Sequence, residues 1–188
     1  MTIVLIHAGP TQWDVEGRLA GNHPLPLTVE ARAGVVDVAS RFGASVSDVY
    51  RFKKNDACNE TADIVAKAAK IRMHESGDLD EVNLGLWQGL TESDLKFRYP
   101  KVYSQWDQNP LAVNPPEGEP LSDAIDRLRD GLQRILKRKH GQTLVLPLRP
   151  MAMQVMLGVL RREDAATIAG HLRNVSPVET IDLPEGHL

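Results

Sequence analysis

The chain has 188 residues, of which 42% are hydrophobic and 25% are charged. This length and composition predict one globular domain spanning residues 1–188. The 22 basic and 25 acidic residues leave a formal net charge of -3, so no overall positive field would hold a nucleic acid or an anionic membrane. We therefore expect neither nucleic acid nor membrane among its partners.

Cysteine content and apolar runs predict where the protein resides. Cys58 is the only cysteine, so an internal disulfide cannot form. The apolar run at residues 3–6 is too short for a signal peptide. The longest later run, MAMQVMLGVL, is about half as long as a membrane-spanning helix. These features predict a cytoplasmic protein.

Predicted strands and helices alternate along the chain. In chain order they are a strand over 2–6, a helix over 28–42, a strand over 47–52, a helix over 59–70, a helix over 121–139, a strand over 143–148 and a helix from Pro150. The strands TIVLI and TLVLPL are apolar after their first threonine and show no alternation, which is typical of parallel strands buried on both faces. The pattern predicts an α/β fold, a three-layer sandwich whose helices cover both faces of a mostly parallel central sheet.

The candidate site is expected at the carboxyl ends of the strands, where ligands bind in open α/β sheets. The segments that follow the three predicted strands are HAGPTQWD, KKNDACNETA and LRPMAMQ. A further segment over residues 106–120 is rich in proline and polar residues, which predicts irregular structure. Because long irregular segments inside a domain often cover a site, we expect this one to act as a lid.

The first of these segments lies in a longer motif. LIHAGPTQWDVEGRLAGNHPLPLTVEARA resembles the opening of the histidine phosphatase superfamily, the phosphoglycerate-mutase-like enzymes, whose pattern is Arg-His-Gly, Thr-x-Trp-Asn, Gly-Arg-Leu and Pro-Leu-Thr. The matching residues are Gly9, Thr11, Trp13, Gly17, Arg18, Leu19, Gly21, Pro26, Leu27, Thr28, Glu30 and Arg32. NETADIVA, LDEVNLGLWQGL, PPEGEPLSD and TLVLPLRPMAMQ resemble later family motifs in the same order. The resemblance covers nearly the whole chain and implies a phosphoglycerate mutase-like fold.

In active members, the resemblance implies that the histidine of Arg-His-Gly attacks phosphorus and becomes phosphorylated. A second histidine and two arginines neutralise the transferring group, and a carboxylic acid protonates the leaving oxygen. This chemistry needs no cofactor. The 6 histidines show no metal-ligand spacing, so we expect no metal site either.

The sequence departs from the family at the positions that carry this chemistry. The family's first arginine falls on His7 and its nucleophilic histidine on Ala8. The second arginine falls on Ala57, in a segment one residue longer than usual, and the second histidine falls on Leu148. Glu81 alone matches, at the position of the general acid. A single alanine could be an engineered change, but one engineered change would have left the other three positions intact.

These replacements predict a pocket that is more apolar and less positive than the family's, which disfavours a phosphate dianion. Arg149 and Pro150 stand where the family has a pair of glycines, and Arg18 is expected to point inward as the main remaining positive charge. Glu81 is expected to persist either as a hydrogen-bond acceptor or as a ligand contact. The predicted vestigial phosphate pocket comprises His7, Ala8, Arg18, Ala57, Glu81 and Leu148.

Two side chains could replace the missing nucleophile. His7 could be a nucleophile displaced by one residue, but such a shift on a strand turns the side chain to the other face, which favours a packed histidine. Cys58 could be a thiolate at a helix N-terminus, although a lone cysteine is more often simply buried. A basic run of Arg51, Lys53 and Lys54 is expected to be solvated, or else to restore part of the phosphate affinity.

The sequence therefore predicts a catalytically inactive histidine-phosphatase-like protein, a pseudophosphatase that acts by binding a small ligand or a protein partner. The alternative is a phosphomonoesterase or phosphoglycerate mutase-like enzyme with a rearranged active site. A third interpretation, a structural subunit of a larger assembly, requires a large apolar surface patch. Because family members are often homodimers, the resemblance also implies self-association.

Overall fold

The central sheet has five strands in the order β3-β2-β4-β1-β5 in a computed structural model of the chain. The structure describes residues 1–42, 46–52, 56–76, 78–137, 142–172 and 176–184. The strands are β1 (Thr2–His7), β2 (Asp48–Arg51), β3 (Arg72–Glu75), β4 (Thr143–Leu148) and β5 (Val178–Asp182). The pairs β1–β4, β2–β4 and β2–β3 are parallel, and β5 runs antiparallel to β1 at one edge. The predicted mostly parallel sheet is confirmed.

Helices cover both faces of this sheet. They are α1 (Gln12–Val15), α2 (Val29–Ser40), α3 (Asp56–Ala69), α4 (Glu92–Arg98), α5 (Pro100–Gln108), α6 (Leu121–Leu136), α7 (Pro150–Arg161) and α8 (Ala165–His171). Val4 and Val145 pack with α2 and α3, whereas Ile3 and Leu5 belong to a larger apolar cluster with α6 and α7. Successive β1 residues thus face opposite layers, which explains why residues 3–6 of the strand are all apolar.

The predicted elements agree with the structure to within a few residues at each end. The strand over 143–148 has the predicted bounds, and the helix predicted over 121–139 begins at Leu121 as expected and extends to Leu136. Residues 138–141 lie outside the described part of the chain, so the predicted end of that helix does too. Among the described residues, no helix is both long and apolar enough to cross a membrane.

The proline-rich segment is more regular than predicted. Trp106 lies inside α5, and Pro110–Ala112 forms a short 3-10 turn. Both of these elements begin with a proline, which costs no helical hydrogen bond at that position. Apart from Asn109, only residues 113–120 of the segment are irregular, so the prediction of irregular structure over 106–120 was wrong for most of its first half.

Candidate functional site

The carboxyl ends of β1 and β4 lie side by side and bring two predicted site segments together. His7 is opposite Leu148 in the sheet register, and the N–H of Ala8 donates to the carbonyl of Leu148 at 2.8 Å. Ala8, Ala57 and Leu148 are each 0% exposed. The three residues predicted to replace the family's nucleophile, second arginine and second histidine therefore have short or apolar side chains and lie inside the core.

The residue after β4 supplies a positive charge that the sequence analysis did not place in the site. The Arg149 guanidinium is buried, and its Nη2 donates to both carboxylate oxygens of Asp14 at 2.6 and 2.9 Å. Its Nη1 donates to the carbonyl of Gly9 at 3.4 Å. Asp14 stands where the family's Thr-x-Trp-Asn pattern has asparagine, and Arg149 stands where the family has glycine. These two departures from the family sequence form one ion pair.

The ion pair keeps both of its partners charged. Burial alone would raise the pKa of Asp14, but the hydrogen bond and charge of Arg149 hold it below its usual value. The N–H and hydroxyl of Thr11 also donate to Asp14, at 2.7 and 2.6 Å. Burial would lower the pKa of Arg149, and Asp14 raises it. A guanidinium that was not among the predicted site residues is therefore present, and a carboxylate of this chain already binds it.

Glu81 caps the N-terminus of α7. Its Oε2 accepts the N–H of Met151 at 2.9 Å, and its Oε1 accepts the N–H groups of Ala152 at 2.8 Å and Val82 at 2.7 Å. The helix needs this cap because Arg149 at the N-cap position makes no side-chain capping bond. Of the two expectations for Glu81, the geometry supports the hydrogen-bond acceptor.

Burial also changes the acidity of Glu81. It raises the pKa of this carboxyl to about 7, against the lowering effect of the Val82 amide, of Arg149 and of the two α7 amides. Arg127 of α6 holds the segment that carries Glu81 by donating to the carbonyls of Asp78 and Asp80 at 3.1 and 3.0 Å. The carboxyl is therefore fixed in place by the fold as well as by its own hydrogen bonds.

Neither replacement nucleophile is available. His7 is half-buried, and among the described residues its Nε2 is enclosed without a hydrogen-bond partner. Burial, followed by the nearby Arg149 charge, lowers the pKa of His7 to about 4, so the ring is neutral. Cys58 is buried, and burial raises the pKa of its thiol well above the usual range. Both side chains take the packed arrangement that the sequence favoured.

A cavity of about 720 Å³ opens beside the ion pair. Of the six residues predicted to line the vestigial pocket, Arg18 and Glu81 line this cavity, whereas His7, Ala8, Ala57 and Leu148 do not. The predicted lid contributes its helical part to the wall, through Trp106 and the residues up to Pro110. The Trp106 ring packs edge-on against Trp87, with centroids 5.3 Å apart.

The two arginines expected around the pocket are paired with carboxylates of this chain. Arg18 lines the cavity, but its Nε donates to Glu16 at 2.7 Å and its Nη1 to the carbonyl of Gly89 at 2.8 Å. Arg51 pairs with Glu75 at 3.2 Å. Lys53 and Lys54 lie outside the described residues. Within the part of the chain that is described, no three histidine, cysteine or acidic side chains come close enough together to hold a metal ion.

Comparison with known proteins gives matches over most of the chain. The histidine phosphatase superfamily, branch 1, matches residues 3–180. Phosphoglycerate mutase-like protein 4 of Arabidopsis thaliana is 30% identical over 147 residues, 77% of this chain and 64% of that protein. The metal-independent phosphoserine phosphatase of the same plant is 29% identical over 178 residues, 93% of this chain and 73% of that protein.

Solved structures show the same likeness. Bacillus stearothermophilus YhfR is 25% identical to this chain and superposes with a TM-score of 0.86, covering 98% of this chain and 92% of that one. The α-ribazole phosphatase of Shigella flexneri is 20% identical with a TM-score of 0.82. The fold is therefore that of the phosphoglycerate mutase-like proteins, as the sequence predicted.

Proposed function

We propose that this chain, which belongs to the histidine phosphatase superfamily, is a pseudophosphatase that binds a small ligand without turning it over. Relatives named for phosphatase and mutase activities share its fold and family. The family's chemistry, however, requires a nucleophile, free positive charge and a proton donor at one place. The proposal therefore depends on which of these three groups the cavity offers.

The cavity wall lacks a nucleophile of the kind that the family uses, and this observation carries the proposal. Among the described residues that line it there is no histidine, cysteine, serine, threonine or lysine. The Tyr103 hydroxyl is bonded to Glu92. Asp14 is bound to Arg149, and Glu81 accepts three backbone N–H groups. The carboxylates nearest the family's site are thus engaged in holding the structure.

The described part of the cavity wall carries two guanidiniums, and each of them already has a carboxylate partner. A phosphoryl group in transfer is stabilised by cations that are free to follow its developing charge. Both guanidiniums of the wall, Arg18 and Arg149, are already paired with the carboxylates of Glu16 and Asp14. A phosphate dianion at Arg149 would have to displace the Asp14 carboxylate, whereas the Arg18–Glu16 pair is 41% exposed on both sides and holds Arg18 only weakly.

The alternative enzyme with a rearranged site receives less support. It requires His7 or Cys58 to reach the substrate, and neither lines the cavity. A neutral imidazole could attack phosphorus, but the His7 Nε2 is enclosed at the end of β1. The discriminating variants are His7→Ala and Cys58→Ser, which would abolish any activity that depends on these side chains.

The deciding experiment is hydrolysis of p-nitrophenyl phosphate and of phosphoserine by the purified protein, beside its Glu81→Gln variant and an active family member. Glutamine keeps an acceptor oxygen for the α7 amides but cannot act as a general acid. We expect no release of phosphate above the buffer. Phosphoserine turnover that disappears in Glu81→Gln would contradict the proposal, because the serine alkoxide needs a proton donor to leave, whereas equal phosphoserine turnover in both preparations would identify a contaminant.

A further inference from the structure

The cavity beside the ion pair has the size of a small-molecule site. Its volume of about 720 Å³ falls within the range of roughly 300–1,000 Å³ that is usual for such sites. One part of the wall is apolar and consists of buried side chains from the segment before α4, from α4 itself, from α5 and from the end of α8. These side chains are Leu84, Leu95, Trp106 and Leu172. Contact with them favours the apolar body of a ligand.

The charged groups of the inner wall are satisfied by the protein itself. The Asp14 carboxylate and the Arg149 guanidinium line the cavity and form one ion pair. Glu81 also lines it, and both of its oxygens accept backbone N–H groups. Burial raises the pKa of this carboxyl to about 7, so at about pH 6 it is mostly protonated and uncharged. These three side chains therefore leave no net charge for a ligand to meet.

The other charged side chains of the described wall lie where the cavity meets solvent. They are Arg18, Glu92 and Asp107, and all three are exposed. Glu92 accepts the Tyr103 hydroxyl and lies 3.6 Å from Lys96. Water and salt weaken the attraction between exposed charges and screen it beyond about 8–10 Å. This outer part of the wall therefore favours neither sign of charge strongly.

We propose that the cavity binds an uncharged ligand with an apolar body, and that it disfavours both the amine and the phosphate ester of the same body. This inference rests on the proposed function, because an enzyme of this family would need to prefer the phosphate ester. A hydroxyl or carbonyl group can be desolvated beside the paired charges at small cost. A phosphate would have to displace Asp14 from Arg149, and an ammonium group would have to displace Arg149 from Asp14.

Three probes that share one benzyl group test the preference. Benzyl alcohol, benzylamine and benzyl phosphate are titrated into the ¹⁵N-labelled protein at about pH 6, below the pKa of Glu81. The indole N–H resonance of Trp106 reports binding, and a Trp106→Phe variant assigns that resonance among the 3 tryptophans. We expect the alcohol to bind about tenfold more tightly than either charged probe, because a charged head loses hydration on the inner wall without gaining a free counter-charge.

Variants of the ion pair should change the preference in opposite directions. Asp14→Asn leaves the Arg149 guanidinium without its carboxylate, so benzyl phosphate should gain about tenfold in affinity. Arg149→Met leaves the Asp14 carboxylate without its guanidinium, so benzylamine should gain by about the same factor. The double variant removes both charges and should again prefer the alcohol. Because the Asp14 side chain is 26% exposed, Arg149→Met and the double variant keep the test valid if Asp14→Asn does not fold.

Binding of benzylamine or benzyl phosphate to the unaltered protein as tightly as the alcohol would overturn the inference. Failure to bind any of the three probes would overturn it as well, and so would single variants that leave the order of affinities unchanged. These results are distinguishable from failure of the proposed function. Benzyl phosphate that binds tightly without being hydrolysed contradicts only the preference, whereas its hydrolysis contradicts the absence of turnover.

Discussion

Replacing Asp14 by asparagine should destabilise the protein by leaving the Arg149 guanidinium buried without a counter-charge. Asparagine has nearly the same shape and keeps an oxygen for the Thr11 N–H, so the change removes mainly the charge. Breaking a fully buried pair costs about 3–5 kcal/mol. Because the Arg149 side chain is 4% exposed but that of Asp14 is 26% exposed, we expect the lower end, a loss of about 3 kcal/mol in the free energy of unfolding.

Urea unfolding followed by tryptophan fluorescence measures this loss. A change of about 3 kcal/mol corresponds to a fall in Tm of roughly 6–12 °C for a chain of this size. The matched control is Asp126→Asn, which breaks the Arg129–Asp126 pair, whose side chains are 39% and 69% exposed. That variant should lose under about 1 kcal/mol. The double variant Asp14→Asn/Arg149→Met should recover part of the loss, because it buries no unpaired charge.

Equal stability losses in Asp14→Asn and Asp126→Asn would refute this reasoning. That result would mean that solvent reaches Arg149 and that the pair does not hold the site together. A double variant that is less stable than Asp14→Asn alone would also contradict the reasoning. It would show that packing of the Arg149 side-chain stem, and not its charge, determines the stability at this position.

Three further predictions concern single side chains. The pKa of Glu81 rises on folding from 4.5 to about 7, so the native state binds this proton more tightly than the unfolded state does. The stabilisation that results is complete below the unfolded pKa and is lost as the pH rises from the unfolded to the folded pKa. Glu81→Gln should flatten this part of the pH profile of the free energy of unfolding, measured by urea unfolding. Ala8→His should destabilise by about 1–3 kcal/mol without producing phosphatase activity, because the position is fully buried; activity gained by this one change, measured with p-nitrophenyl phosphate, would show that the site is otherwise intact. Cys58 should resist a thiol-reactive disulfide reagent in the folded protein and react rapidly in urea; fast reaction without denaturant would contradict its burial.

The layered fold was predictable because the composition of the central strands fits only strands that are covered on both faces. TIVLI and TLVLPL are apolar at consecutive positions, which only strands covered on both faces require. The edge strands were missed for the complementary reason. β3 reads RMHE and is largely exposed, and β5 reads VETID and is mostly polar, so neither carries the signal of a buried strand. Short helices such as α8 were missed because they complete too few turns to show a period.

Individual site residues could be predicted from the sequence, but the contacts between them could not. Alignment with the family motifs identified Ala8, Ala57 and Leu148 as replacements for reactive groups. The pairing of Asp14 with Arg149 joins residues 135 positions apart, and such a contact becomes visible only when β1 and β4 are seen side by side. The signal was present in principle, as an acidic residue in place of an amide and a basic one in place of a glycine.

The Asp14–Arg149 pair also constrains how the sequence can change. Arg149 introduced alone places an unbalanced charge in the buried core, and Asp14 introduced alone places one at a position that is 26% exposed, whereas the two together are mutually satisfied. Starting from the asparagine and glycine of the family pattern, introducing Arg149 before Asp14 would therefore pass through a less stable intermediate than the reverse order. Relatives that carry arginine after the equivalent of β4 should thus carry aspartate after the equivalent of β1, and reverting one residue without the other should be selected against even where catalysis has no value.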